Sequence, residues 1–145
     1  LENYNRPYAV VGHSLGGAAA VMSMALLGAP RPDKLVLMGV FAESTRVIQD
    51  FGRILEVNDI VVQGVYQQIE QLSGQPITEY SVRKKVALLT DVQGLVLHDR
   101  DDDVAPVEEG RAVAEAWGCP FLETKGFGHR MQDKSVIQTV VEFLR

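Results

Sequence analysis

The chain has 145 residues, is 46% apolar, and sets 14 Lys and Arg against 19 Asp and Glu for a net charge of −5. That length and apolar fraction suit one globular domain with a buried core. The charge excludes a nucleic-acid surface, because the one basic cluster is "VRKK" at 82–85, and no apolar run reaches the roughly 18 residues of a membrane span.

Cys119 is the only cysteine, which excludes internal disulfides and thiolate metal clusters and leaves it a packing role. No cofactor and no metal are expected. A cytoplasmic protein is expected, although a chain that starts at Leu1 leaves open a signal peptide on a preceding segment.

Residues 8–12, "YAVVG", form a first strand, and residues 15–27 a helix stopped by Gly28 with Pro30 and Pro32 beyond. "KLVLMGV" at 34–40 is a second strand. From 41 to 92 the alternation breaks. Ser44 is placed to cap a helix with apolar positions Val47, Ile48, Phe51, Ile54 and Leu55. Asn58 caps another, with Val61, Val62, Val65, Ile69 and Leu72, closed by Gly74; a third runs from Glu79 to Leu89 after Thr78. An excursion of about fifty residues exceeds a simple crossover, and it reads as a helical cap over a pocket. "GLVLHD" at 94–99 is a third strand, "VEEGRAVAEAW" at 107–117 a helix between Pro106 and Gly118, and "FLETKGF" at 121–127 a weaker fourth strand. The helix at 134–144 puts Val136, Ile137, Val140, Val141 and Leu144 on one stripe. The first three strands are nearly continuous in apolar residues, as in strands covered on both faces. The fold class is therefore α/β, a parallel sheet of about four strands with flanking helices and a helical cap insertion.

The corner "GHSLGG" at 12–17 carries the chemistry. A hydroxyl is a poor nucleophile until a base takes its proton. A sharp strand-to-helix turn projects Ser14 clear of the sheet and sets it at a helix N-terminus, where free N–H groups favour developing negative charge. Such a turn requires small residues two before and two after the serine, and Gly12 and Gly16 supply them. The N–H of Leu15 is placed to donate to an oxyanion. The pattern is short enough to arise by chance; its place between an apolar strand and a well-terminated helix gives it weight. Later strands run into "HDRDDDVAP" and "GFGHRMQD", an acidic loop and then a histidine loop, where α/β sheets place their sites.

With "VVGHSLGG", "LVLHDRDDDVAP" and "GFGHR" in that order, the whole chain resembles the carboxyl-terminal part of an α/β-hydrolase fold protein. The resemblance implies Ser14 as nucleophile and His129, after Gly128, as general base. Asp102 matches the orienting acid of a D-x-V-x-P pattern. Most of Asp99, Asp101 and Asp103 then read as loop solvation or turn chemistry, with Glu43 a minor alternative acid. His13, expected to be buried beside the corner, and His98, at a strand end, read as structural.

The family places several strands and a helix ahead of this corner, and one of those loops supplies a second oxyanion N–H. Almost nothing precedes "RPYAVVGHS" here, so residues 1–145 are expected to be a fragment of a truncated α/β-hydrolase domain, with 41–92 its cap. Its strand 8–12 would then be a free edge, favouring a homo-oligomer. The function implied for the full-length parent is a serine hydrolase cleaving a small-molecule carboxylic ester, thioester or amide through an acyl-enzyme, with the activity of residues 1–145 alone left open. A catalytically silent ligand-binding protein of the same fold is the alternative. A doubly wound domain holding phosphate at "GHSLGG" is a third reading, against which stands the missing P-loop lysine.

Overall fold

The computed structural model describes residues 8–145, so the segment ahead of the first strand lies outside the described residues. The elements are β1 Ala9–His13, α1 Leu15–Leu26, β2 Lys34–Met38, α2 Ser44–Ile54 and α3 Asp59–Ser73. A 3₁₀ turn Ile77–Tyr80 follows, then α4 Val82–Val86, β3 Gln93–Asp99, α5 Val107–Trp117, β4 Phe121–Thr124 and α6 Lys134–Leu144. The four strands form one parallel sheet in the order β1-β2-β3-β4.

β2 and β3 owe their continuous apolar sequence to burial from both sides. Leu35, Leu37 and Val96 face α1, α4 and α5, where they meet Val21, Val82, Val86 and Val113. Val36, Leu95 and Leu97 face α6 through Val136 and Val140. Each such side chain taken fully out of water stabilises the fold by about 1.5–3 kcal/mol. Cys119 packs against the first of these clusters, and burial pushes its thiol up to about 11.

Four expectations need correction. β1 is not covered on both faces: Ala9, Val11 and His13 pair with Lys34, Val36 and Met38 on the α6 face but are exposed, Val11 at 48%. β1 is also a sheet edge, the one at which self-association is expected. The α6 stripe is split, with Val136 and Val140 buried and Ile137 and Val141 exposed, because α6 covers β2 and β3 and stops short of β1. Ser44 is the first residue of α2, not its cap; its hydroxyl donates to the Tyr80 carbonyl instead. The helix expected over 79–89 is broken at Ser81, which takes an extended backbone and accepts a hydrogen bond from Lys84 N at 3.2 Å, restarting the chain as α4.

Asn58 does cap α3, accepting from Val61 N at 3.1 Å, and Gly74 ends it in the left-handed region. α3 rests on α2 where Val62 meets Gly52, and Tyr66 Oη donates to the Thr45 carbonyl at 3.1 Å. Only Val62 of the expected α3 stripe is buried. α4, by contrast, is part of the main core, so the helices that stand off the sheet are α2 and α3. Among the described residues no helix is long and apolar enough to cross a membrane.

Candidate active site

Ser14 sits alone between β1 and α1 with φ 51° and ψ −125°. A non-glycine residue there carries strain on the order of 1–3 kcal/mol, so its surroundings must enforce it. They do so from both sides. Ser14 N donates to the Met38 carbonyl at 2.8 Å, and the Ser14 carbonyl accepts from Gly17 N and Ala18 N at 3.1 and 3.2 Å. Close packing under the corner comes from Gly12 against Gly17, not Gly16. A Cβ on Gly12 would lie 2.5 Å from Gly17 Cα, whereas a Cβ on Gly16 would meet nothing within 4 Å. The turn therefore needs its second small residue at Gly17. Leu15 opens α1, and the N–H groups of a first turn have no partner within the helix.

Three side chains from three strand ends form one hydrogen-bonded chain. Ser14 Oγ is 2.9 Å from His129 Nε2. His129 Nδ1 is 2.8 Å from Asp102 Oδ2. The Asp102 side chain is fully covered, and its Oδ1 accepts from Val104 N at 2.9 Å and Ala105 N at 2.8 Å. Glu43, the alternative acid, pairs with Arg83 instead. Asp101 and Asp103 are exposed.

Asp99 is the exception among the remaining aspartates and is fully buried. It accepts from Thr124 Oγ1 at 2.7 Å, Asp101 N at 3.0 Å, Gly128 N at 3.1 Å and Phe127 N at 3.2 Å. One carboxylate thus ties the end of β3 to the loop that ends in His129. Burial alone would raise its carboxyl group, but these donors together outweigh burial and hold it below the usual carboxylate range. The sequence carried a signal for this: "GFG" at 126–128 frees backbone N–H groups beside the last residue of the neighbouring strand.

The Asp99 contribution is complete above the unfolded carboxyl value of about 3.9 and is lost as pH falls through the lower folded value. The melting temperature of the protein should therefore drop below about pH 4, and the drop should be smaller in Asp99→Ala. At neutral pH that variant leaves four donors unpaired and should be less stable by about 1–3 kcal/mol. Thermal melts from pH 3 to 7 check both; identical pH profiles for the two proteins would remove Asp99 from this role.

His13 is exposed rather than buried, since α6 leaves that face of β1 open. It still touches the site, its Nε2–H donating to the His129 carbonyl at 2.7 Å with the two rings 4.9 Å apart. Gly39, just past β2, is a further site residue that was missed. With φ 56° it turns the chain away, and a Cβ there would lie 3.4 Å from His129 Nδ1.

Ser14 opens on a cleft of about 580 Å³ between α2 and the loop 102–106. Leu15, Phe41, Val47, Phe51, Ile54 and Val104 give it an apolar lining. Its two arginines are paired, Arg46 with Asp50 at 3.3 Å and with Glu109 at 3.4 Å, and Arg53 with Asp50 at 2.6 Å, while Asp103 on its rim is exposed. Among the described residues no group of three or more His, Cys, Asp and Glu is placed to hold a metal ion.

No protein-family model matches the chain, and no curated protein matches it in sequence. Solved structures do match. The esterase domain of a Rhodothermus marinus protein aligns with TM-score 0.65 and 20% identity over 99% of this chain. A candidate non-heme bromoperoxidase of Mycobacterium tuberculosis H37Rv aligns with TM-score 0.66 and 19% identity over 95% of it. The meta-cleavage product hydrolase of Pseudomonas fluorescens IP01 aligns with TM-score 0.60 and 20% identity, also over 95%. This chain spans 60%, 66% and 65% of those three chains respectively. At such identities the likeness is one of architecture, and the architecture it shares with them, a parallel sheet flanked by helices, is the α/β-hydrolase fold.

Proposed function

We propose that the protein is a serine hydrolase that cleaves a carboxylic ester, or a thioester or amide of similar shape, through an acyl-enzyme. The observation that carries this reading is the chain Ser14–His129–Asp102, with its serine strained at a helix N-terminus and facing the apolar cleft. Ser14 Oγ attacks the carbonyl carbon as His129 Nε2 takes its proton. The carbonyl oxygen becomes an oxyanion beside the Leu15 N–H. His129 returns the proton to the departing alcohol, thiol or amine, and the C–O, C–S or C–N bond breaks. Water, deprotonated in turn by His129, then attacks the acyl-serine and releases the acid and Ser14. Asp102 stays ionised throughout and holds His129 in the tautomer that can accept at Nε2.

The cleft supports the substrate class. Both of its arginines are already paired, so an incoming anion finds no free cation there, whereas an apolar acyl or alcohol group buries against Phe41, Val47 and Ile54. α2 forms one wall, consistent with a cap role for the helices that leave the sheet after β2.

A fluorophosphonate probe tests the reading. The folded full-length protein should be labelled, the mass increment should map to the peptide holding Ser14, and Ser14→Ala should take none. A folded, unlabelled protein would overturn the proposal in favour of a catalytically silent ligand-binding protein.

A further inference from the structure

The Asp102 carboxylate is held from a side that the Ser14–His129–Asp102 chain does not use. Oδ1 is pinned by two loop N–H groups, and Oδ2 meets His129. The same Oδ2 lies 3.2 Å from Nε2 of a second imidazole, His98, the penultimate residue of β3. His98 is completely buried, and its Nε2 is also 2.8 Å from the Ala105 carbonyl oxygen. That carbonyl can only accept, so Nε2 carries a proton and donates it to Ala105, with Asp102 Oδ2 lying beside the same N–H edge.

The other ring nitrogen, Nδ1, is buried and has no hydrogen-bond partner. It points at Gly110 of α5, where any added Cβ would overlap the ring. A leucine would fill this space without leaving a buried nitrogen unpaired, an omission that costs about 1–3 kcal/mol. The imidazole is therefore a poor choice for packing and a good one for tying the Ala105 loop down beside Asp102.

We infer that His98 is a positioning residue: its Nε2–H holds the Ala105 carbonyl, and with it the Ala105 N–H that Asp102 Oδ1 accepts, while the positive edge of the same ring stands 3.2 Å from the Oδ2 that faces His129. The kinetic part of this inference rests on the serine-hydrolase reading; the ring titration below does not.

Without the His98 donor, Oδ2 presents more of its charge to His129 and the carboxylate is freer to rotate. The His129 ring should then hold its proton to higher pH, and the chain to Ser14 should be less well aligned. Other charged groups surround this assembly and stay in place. His13 stacks near His129, Asp99 lies beneath the loop, Asp103 is beside Asp102, and Arg46, Asp50 and Arg53 face it across the cleft. Glu109 on α5 is paired with Arg46, and Glu123, opposite His98 on β4, with Arg100 and Arg111.

The test follows His129 by NMR of its ring C–H resonance against pH and measures kcat and KM on an aryl ester in parallel. His98→Leu keeps the volume and removes the donor. It should raise the His129 midpoint by roughly half a pH unit, and lower kcat on the order of ten- to a hundredfold with KM unchanged within about twofold. His98→Gln returns an N–H near the Nε2 place and should restore both. If His98→Leu does not fold, His98→Asn, whose shorter amide cannot reach Asp102, takes its place with the same expectations. An unmoved His129 midpoint in a folded Leu or Asn variant, with only the melting temperature lowered, would overturn the inference. A wild-type protein without turnover would sink the hydrolase reading and leave the NMR shift to decide on His98.

Discussion

Replacing Ser14 by alanine should lower turnover of a simple aryl ester by roughly 10⁶-fold, and replacing Asp102 by asparagine by roughly 10⁴-fold, leaving a measurable residue. The difference follows from what each group does. On the proposed mechanism Ser14 forms the covalent bond, whereas Asp102 only sets the tautomer of His129. The surroundings of Asp102 show why an amide fails there. Two N–H donors, from Val104 and Ala105, sit on Oδ1 and will hold the amide oxygen of an asparagine on that side. Its NH₂ must then occupy the place of Oδ2, facing His129 Nδ1 and His98 Nε2. His129 can accept from that NH₂ only by moving its own proton to Nε2, where it blocks acceptance from Ser14. Asp103 is exposed, so Asp103→Ala should change kcat/KM by less than about twofold. Undiminished turnover in Ser14→Ala would end the hydrolase proposal. A damaging Asp103→Ala beside a harmless Asp102→Asn would move the acid one residue along the loop.

The parts of the fold that could be read from the chain are those where burial leaves a one-dimensional mark. β2 and β3 are covered on both faces and so carry unbroken apolar runs. α3 and α5 end where glycines take the left-handed backbone, at Gly74 and Gly118. What an apolar stripe cannot say is whether anything lies on it. Val11, Ile137 and Leu72 read as core residues and are exposed among the described residues, because their covering depends on neighbours that periodicity does not specify.

The site divides in the same way. A serine at a strand-to-helix corner has a local pattern, since the turn itself demands small neighbours. The four aspartates from 99 to 103 have none. Which of them turns inward is decided by strand register, which sets Asp99 opposite Thr124 and beside the histidine loop. Asp102 was singled out by resemblance, not by its own chemistry, and the partnership of His98 with it is visible only in three dimensions. Of the two glycines assigned to the corner, one was misplaced by a single position, because Gly16 and Gly17 are equivalent in a pattern and opposite in space.

That last difference sets up a stability experiment with opposed outcomes. Gly12 and Gly17 bring β1 and α1 into backbone contact, and a methyl group on Gly12 would lie 2.5 Å from Gly17 Cα and 2.9 Å from Gly17 N. Both are main-chain atoms that cannot rotate aside, so the strand and helix must separate. Gly12→Ala should therefore cost about 3 kcal/mol or more, the upper end of overpacking. A methyl group on Gly17 would meet Val40 Cγ1 at 2.6 Å, which can shift, and the Gly12 carbonyl oxygen at 3.0 Å, which cannot. Gly17→Ala should cost less, about 1–2 kcal/mol. Gly16 lies in the first turn of α1 with open space beyond its Cα, and alanine there should stabilise by up to about 1 kcal/mol through its better helix propensity. For a chain of this size each kcal/mol moves the midpoint by about 2–4 °C, so Gly12→Ala should melt roughly 6–12 °C lower and Gly16→Ala up to about 4 °C higher. Calorimetry on the three variants measures this directly. A Gly12→Ala protein that melts with the wild type would show that strand and helix are further apart than 2.5 Å allows, and a Gly16→Ala protein that melts well below it would return the close approach to the glycine two residues after Ser14.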